Sequence, residues 1–250
     1  MTTPPPAAVA VVTGAAQGLG EAIASRFVED GYHVVYADHN AAGAERAAAA
    51  ADPGGGTVLP MHLDVRDLGS VQACLDAAVS RWGRVDVWVN NAALTGARPF
   101  LEIEPEEWDD VLGTNLRGTY FGCRVAGTHM CDRGSGRIVN LASVAGQWGR
   151  SLTGVHYAAS KAGIVAVTRC AATAFAPHGV SVNAIAPAAI DGPAVAAMPP
   201  DTIANYVREI PAGRLGRPDE VAALAAFLAS PSAGFTTGAT YDVNGGILMR

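Results

Sequence analysis

Short unbroken apolar runs alternate along the chain with longer stretches in which apolar residues recur every three or four positions. The first run, 7–13, is rich in valine and breaks into a glycine-containing turn, as a strand covered on both faces does. In the stretch 18–29, Leu19, Ile23 and Phe27 share one helical face, and Gly31 stops the helix. The same alternation predicts strands at 33–37, 57–63, 85–90, 137–141, 180–185 and 240–243. Helices are predicted at 41–51, 68–82, 105–132, 155–176 and 218–229. The 105–132 helix is opened by Pro105, with Glu104, Glu106 and Glu107 at the positive end of its dipole. Strand and helix in strict alternation, with every connection long enough for a crossover, predict a doubly wound parallel sheet in three α/β/α layers. No composition break or internal repeat marks a second domain, so residues 1–250 read as one. The proline-rich segment from 188 to 201 lacks periodicity and reads as a substrate-side loop or lid running on to 208.

Composition narrows the function. Half the residues are apolar and the net charge is −6, so a polyanionic partner is not expected. Aromatics are scarce, which leaves no stacking platform for single-stranded nucleic acid. Cys74, Cys123, Cys131 and Cys170 are scattered without a CxxC pair, and the histidines show no metal-ligand spacing. Neither a disulfide framework nor a bound metal is expected. The opening Met-Thr-Thr-Pro-Pro-Pro is neither basic nor apolar, so residues 1–6 read as a frayed polyproline lead-in rather than a signal peptide. No apolar run reaches the ~20 residues of a membrane helix. A cytoplasmic protein is the expectation.

Three constellations carry chemistry. Thr13-Gly14-Ala15-Ala16-Gln17-Gly18-Leu19-Gly20 lies between a predicted strand and a predicted helix, where small residues let backbone N–H groups approach a pyrophosphate. The Rossmann type of sheet is the setting for such a turn. Asp38 ends the second strand, with Gln17 and His39 as neighbours; its carboxylate can accept the hydroxyls of an adenosine ribose and would repel a 2′-phosphate. NAD is therefore expected rather than NADP, although Asp38 in isolation is equally a helix cap. In Tyr157-Ala-Ala-Ser-Lys161 the four-residue step puts the phenol and the ammonium on one helix face. Action near pH 7 requires lowering a tyrosine pKa by roughly three units, about 4 kcal/mol. One cation ~4 Å away at an effective dielectric of ~20 supplies about that much. A lone Tyr-x-x-x-Lys pair is also common surface decoration.

Taken in order along nearly the whole chain, these residues resemble the short-chain dehydrogenase/reductase family in its one-domain form. Residues 13–20 resemble that family's cofactor turn, Asp64-Val65 its adenine contact, and Asn90-Asn91-Ala92 the segment after its fourth strand. Asn115, Ser143, Tyr157 and Lys161 match its four catalytic positions, and Asn183-Ala-Ile-Ala-Pro187 the approach to the nicotinamide. The resemblance implies a hydride exchanged between NAD(H) and a secondary alcohol or ketone. Ser143 would bind the substrate oxygen, Tyr157 would be the general acid/base, and Lys161 would lower its pKa and hold the ribose. Asn115 would kink its helix and anchor a water leading to Lys161. Gly14, Gln17, Gly18, Leu19, Gly20, Asp38, His39, Asp64, Val65, Asn91, Ala92, Ala93, Tyr157, Lys161, Pro187, Ala188 and Ile190 are the implied cofactor contacts. Three positions depart from the pattern: Ala93 and Ala188 replace glycines, and Gly192 stands where a threonine hydroxyl would orient the carboxamide.

By the same resemblance the substrate meets Ser143, Ala145, Trp148, Arg150, Tyr157, Ala189 and Met198. These stretches are mostly small and apolar, so a small-to-medium apolar alcohol or ketone is expected. Arg150 is either a carboxylate contact or a solvated loop residue. A homotetramer is implied, pairing the 106–132 and Tyr157 helices across a two-fold axis. Two other functions stay open: a 3-oxoacyl-thioester reductase, and a non-catalytic NAD-binding sensor or scaffold. A nucleotide-sugar epimerase is disfavoured because the chain has no separate substrate domain.

Overall fold

The computed structural model describes residues 7–149 and 152–250. The expected lead-in at 1–6 and Arg150 lie outside the described residues. Seven parallel strands form one sheet in the order β3-β2-β1-β4-β5-β6-β7. They are β1 (Val9–Thr13), β2 (His33–Asp38), β3 (Val58–His62), β4 (Val87–Asn90), β5 (Gly136–Leu141), β6 (Val180–Pro187) and β7 (Thr240–Val243).

The valine runs are explained by burial on both sides of the sheet. Ala10, Val12, Val34 and Tyr36 point to one layer, where they pack with Ile23 and Phe27 of α1 (Gly18–Glu29), Ala44 and Ala47 of α2 (Ala41–Ala51), and Val221 and Ala225 of α9 (Pro218–Ala229). Val9, Val11, Val35 and Trp88 point to the other. There they meet α3 (Leu68–Trp82), α5 (Gly118–Arg133) and α6 (Val155–Phe175). The alternation is the period of two that strand geometry imposes.

Two differences from the expected elements matter for function. The long helix after Pro105 is interrupted: α4 (Pro105–Leu112) passes through a π-helical turn, Gly113–Arg117, before α5 begins. A π turn inserts a residue into the helical repeat and re-aims the side chains around it. The supposed lid is partly helical, with a single turn α7 (Pro193–Ala196) and a helix α8 (Pro200–Glu209). Its half-buried residues Thr202, Ile203, Tyr206 and Val207 lie on one face.

The connections from β1 and β4 leave in opposite directions across the sheet, which opens a crevice at their carboxyl ends. Thr13 bridges that crevice from below. It is almost fully buried; its hydroxyl donates to the Val89 carbonyl at 3.3 Å and accepts the Asn91 and Ala92 N–H groups at 3.0 Å each. Asn91 adds side-chain bonds to the carbonyls of Thr13 and Gly14. Thr13→Val keeps the shape and strands two part-buried donors, so it should lower unfolding free energy by about 1–2 kcal/mol, while Thr13→Ser should lose far less. Urea unfolding midpoints check this, and equal losses in both variants would contradict the bridging role.

Candidate active site

A cleft of about 630 Å3 runs along the crevice. Its first end is built by the turn after β1. Gly14 has φ of +69°, and a Cβ there would sit 2.8 Å from the Ala92 Cα. A side chain at position 14 would therefore push β1 and the segment after β4 apart. Gly18, at φ +61°, opens α1, and the preceding Gln17 makes no side-chain cap. The first N–H groups of α1 thus carry the unsatisfied positive end of a helix where Gln17, Gly18, Leu19 and Gly20 line the cleft. That cradle fits a diphosphate.

Asp38 stands beside it. One carboxylate oxygen accepts from the Ala16 N–H at 3.0 Å and the other from Asn40 at 2.8 Å, so the group is fixed in place. His39 packs near His62, with ring centroids 5.3 Å apart. Asp64 and Val65 line the same end. So does Arg66, which was not singled out as a site residue; it is tied to Asp64 at 3.0 Å and to Asp110 at 3.5 Å. The Arg66 hydrogen bond holds the Asp64 carboxyl below the usual range. Asn91, Ala92, Ala93, Pro187, Ala188 and Ile190 complete the lining toward the far end.

The far end gathers hydroxyl and ammonium groups. Ser143 follows β5, and its Oγ accepts the Ala145 N–H at 3.1 Å. Tyr157 and Lys161 sit one turn apart on α6, with Nζ 5.4 Å from the phenol ring centroid. Lys161 is 3% exposed and donates to the Leu141 carbonyl at 2.6 Å. Burial pushes the Tyr157 phenol up to about 12, against a smaller downward pull from the Ser143 hydroxyl. Burial also pulls the Lys161 ammonium down to about 7. The protein's own groups therefore do not deliver the lowered tyrosine pKa expected of this pair, because desolvation disfavours the charged form of each.

Asn115 lies in the π turn, fully buried. Its side chain accepts from the Leu94 N–H at 2.7 Å, donates to the Leu94 carbonyl at 3.0 Å and donates to Ser160 Oγ at 3.1 Å. Ser160 in turn donates to the Tyr157 carbonyl at 2.7 Å. The bulge thus joins the segment after β4 to the tyrosine's helix, through a serine that sequence reasoning passed over.

Ala145, Ala189 and Met198 line the far end, with Leu94, Thr95, Leu152 and Thr153. Trp148 is half-buried and stands outside the lining. It follows the short helical turn Val144–Gly146. Besides Tyr157, the cleft is lined by the aromatic Tyr206 of α8. Its signal was the Ile203, Tyr206, Val207, Ile210 spacing, concealed by the prolines before it.

A crevice fitted to a dinucleotide and ending on a phenol, a hydroxyl and an ammonium suits hydride exchange at a carbonyl, and an α/β oxidoreductase is the class that fold and site define. Comparison with known proteins specifies it. Residues 14–248 match a family model described as Enoyl-(Acyl carrier protein) reductase. The chain is 42% identical over 239 residues to the cis-4-hydroxycyclohexanecarboxylate dehydrogenase of Sinomonas cyclohexanicum, covering 95% of each protein. It is 38% identical over 251 residues to the D-threitol dehydrogenase of Mycolicibacterium smegmatis, covering 97% of this chain and 93% of that one. The crystal structure of a 3-ketoacyl-(acyl-carrier-protein) reductase from Brucella melitensis complexed with NADH superposes with a TM-score of 0.90, at 35% identity, over 98% of this chain and 99% of that one. The chain belongs to the short-chain dehydrogenase/reductase family and is an oxidoreductase of its single-domain form. Among the described residues, no helix is long and apolar enough to cross a membrane.

The lysine shift has a sign that can be tested. Its folded pKa of about 7 lies below the unfolded value of about 10.4. Between those values the unfolded chain binds more protons, so this group makes stability rise with pH across that window. The Tm of the protein relative to Lys161→Met should therefore climb between about pH 7 and pH 10; a difference that stays flat would contradict the burial of the ammonium.

Proposed function

We propose that the protein interconverts a secondary alcohol and its ketone using NAD(H). The observation that carries this is one continuous cleft, with the uncapped start of α1 and Asp38 at one end and Ser143, Tyr157 and Lys161 at the other. The NADH held by the Brucella relative supports it. Bound nicotinamide supplies the hydride and, when oxidised, a positive charge. Ser143 holds the substrate oxygen and stabilises charge as it develops. Tyr157 gives the proton to the carbonyl or takes it from the alcohol. Lys161 would hold the ribose, and in its charged form would act with an oxidised nicotinamide to favour the phenolate. Asn115 positions the Tyr157 helix through Ser160.

NAD is favoured over NADP because the fixed Asp38 carboxylate occupies the ground a 2′-phosphate would need. Arg66 shares that end of the cleft, and its charge is offset by Asp64 and Asp110. Backbone contacts support the nicotinamide side where the family's glycines and threonine are replaced: Ala188 N–H donates to Val243 O at 3.0 Å, and Asp191 N–H to Gly216 O at 2.8 Å. Position 192 itself is open, with nothing within 4 Å of a Cβ built there.

The substrate is a small-to-medium apolar alcohol or ketone, given the Leu94, Leu152, Met198 and Tyr206 walls. The alicyclic ring in one relative's substrate supports this in shape, although that substrate is a carboxylate and another relative's, threitol, is a polyol. A 3-oxoacyl-thioester reductase is the second reading, supported by the name of the Brucella protein. An NAD-binding sensor or scaffold is the third.

The test is NADH formation over aryl, alicyclic, polyol and 2-hydroxy-acid alcohols near pH 9, with 3-oxoacyl thioesters and NADH in the reverse direction. Turnover of aryl or alicyclic alcohols that Tyr157→Phe abolishes is expected, with Asp38→Asn narrowing the NAD preference about tenfold. Better turnover of polyols or 2-hydroxy acids would sink the apolar pocket. NAD binding without any turnover, unchanged in Tyr157→Phe, would favour the sensor. We assign the outer faces of α5 and α6, where Tyr120 is 50% exposed, to a homotetramer; light scattering should give four times the chain mass, and a monomer would refute it.

A further inference from the structure

Next to the proposed catalytic groups lies a polar cluster that the proton and hydride chemistry does not use. His156 immediately precedes Tyr157 and is fully buried. Its Nε2 meets Glu107 Oε1 at 3.2 Å, so Nε2 carries the proton that the carboxylate accepts. The other carboxylate oxygen of Glu107 accepts from Arg98 Nε at 3.0 Å. Three separate pieces of chain are thereby joined: α6, α4 and the segment after β4 that ends in Arg98.

That segment has no regular structure of its own, yet it supplies Leu94 and Thr95 to the cleft wall. Asn115 fixes it at Leu94. At Gly96 its carbonyl accepts the Gly154 N–H at 2.7 Å, and position 96 lies against the His156–Glu107 pair, with Glu107 Oε1 3.4 Å from where a Cβ would stand. Beyond that, Arg98 is the anchor.

Gly154 shows how closely the imidazole is accommodated. Its backbone, at φ −68° and ψ 164°, is open to any residue. A Cβ there, however, would lie 2.4 Å from His156 Cε1 and 2.7 Å from Nδ1. The missing side chain at 154 is thus required by the histidine and not by the turn. His156 Nδ1 is enclosed without a hydrogen-bond partner among the described residues, so the ring is held by Glu107 and by packing.

We propose that Arg98, Glu107 and His156 form a clasp that positions residues 94–98 against the first turn of α6 and so sets the fit of the substrate. The inference rests on the reading of that segment as a substrate wall. His156 acts as a positioning residue and touches neither the reacting atoms nor the cofactor cradle.

The test compares His156→Leu, His156→Gln, Gly154→Ala and Arg98→Met with the unaltered protein. Steady-state kinetics on the best alcohol of the panel are read beside hydrogen–deuterium exchange at the Leu94 and Gly154 amides. His156→Leu should raise KM for the alcohol about tenfold with kcat and NAD affinity within about twofold, and should speed exchange at both amides. Gly154→Ala should do the same by displacing the ring. His156→Gln, whose amide N–H reaches Glu107, should restore most of the loss. Unchanged KM and exchange in the Leu and Ala variants would overturn the clasp. So would a fall in Tm alone, or a loss confined to kcat and NAD binding. Should His156→Leu fail to fold, Gly154→Ala and the exposed Arg98→Met carry the same comparison. If the unaltered protein turns over no alcohol, the functional reading has failed, and exchange alone then decides the clasp.

Discussion

The amine of Lys161 is almost shut off from water, and the electrostatics of the far end of the cleft depend on that. Removing a charge from water is costly unless partners replace the hydration. The carbonyl of Leu141, at the last residue of β5, supplies one such partner at 2.6 Å. The phenol of Tyr157, one turn away, is under the same pressure in the opposite sense. Burial raises the acid and lowers the base, so the pair is most comfortable uncharged. A fixed positive charge entering the cleft would offset the burial of the phenol and favour its ionised form.

The scaffold makes this possible by putting the burden of stability elsewhere. Strands buried on both faces leave their carboxyl ends free to carry polar loops. Thr13 and Asn91 tie β1 to the segment after β4 with hydrogen bonds to backbone, so the crevice keeps its width without side chains inside it. Asn115 and Ser160 do the equivalent job at the far end, joining the cleft wall to the helix that carries Tyr157 and Lys161. In both places a buried polar side chain, fully satisfied, holds irregular backbone in a single position.

Much of this was legible in the residue order. Valine runs such as the one at β1 mark strands covered on two sides, and the glycines after it mark a close approach of backbone. Tyr157 and Lys161 share a helix face by simple spacing. What stayed hidden depends on contacts distant in sequence. The resemblance implied a kink at Asn115, but its form as a π turn and its ties to Leu94, 21 positions away, did not show in the local pattern. The pairing of His156 with Glu107 spans 49 positions and leaves no local trace. Helix α8 was obscured by Pro199 and Pro200, which read as a loop although Pro200 sits at the permitted first helical position. The direction of the Tyr157 shift was also hidden, because spacing gives proximity to a cation and says nothing of how much water is excluded.

The most direct test of the coupled burial is a spectrophotometric titration of the Tyr157 phenolate, taken as the difference between the protein and Tyr157→Phe, with and without saturating NAD. Alone, the protein should show this phenol ionising near pH 12. With NAD bound, the midpoint should fall by roughly two units or more as a fixed positive charge enters the site. A midpoint that NAD does not move, or one already below about pH 9 without it, would contradict the account.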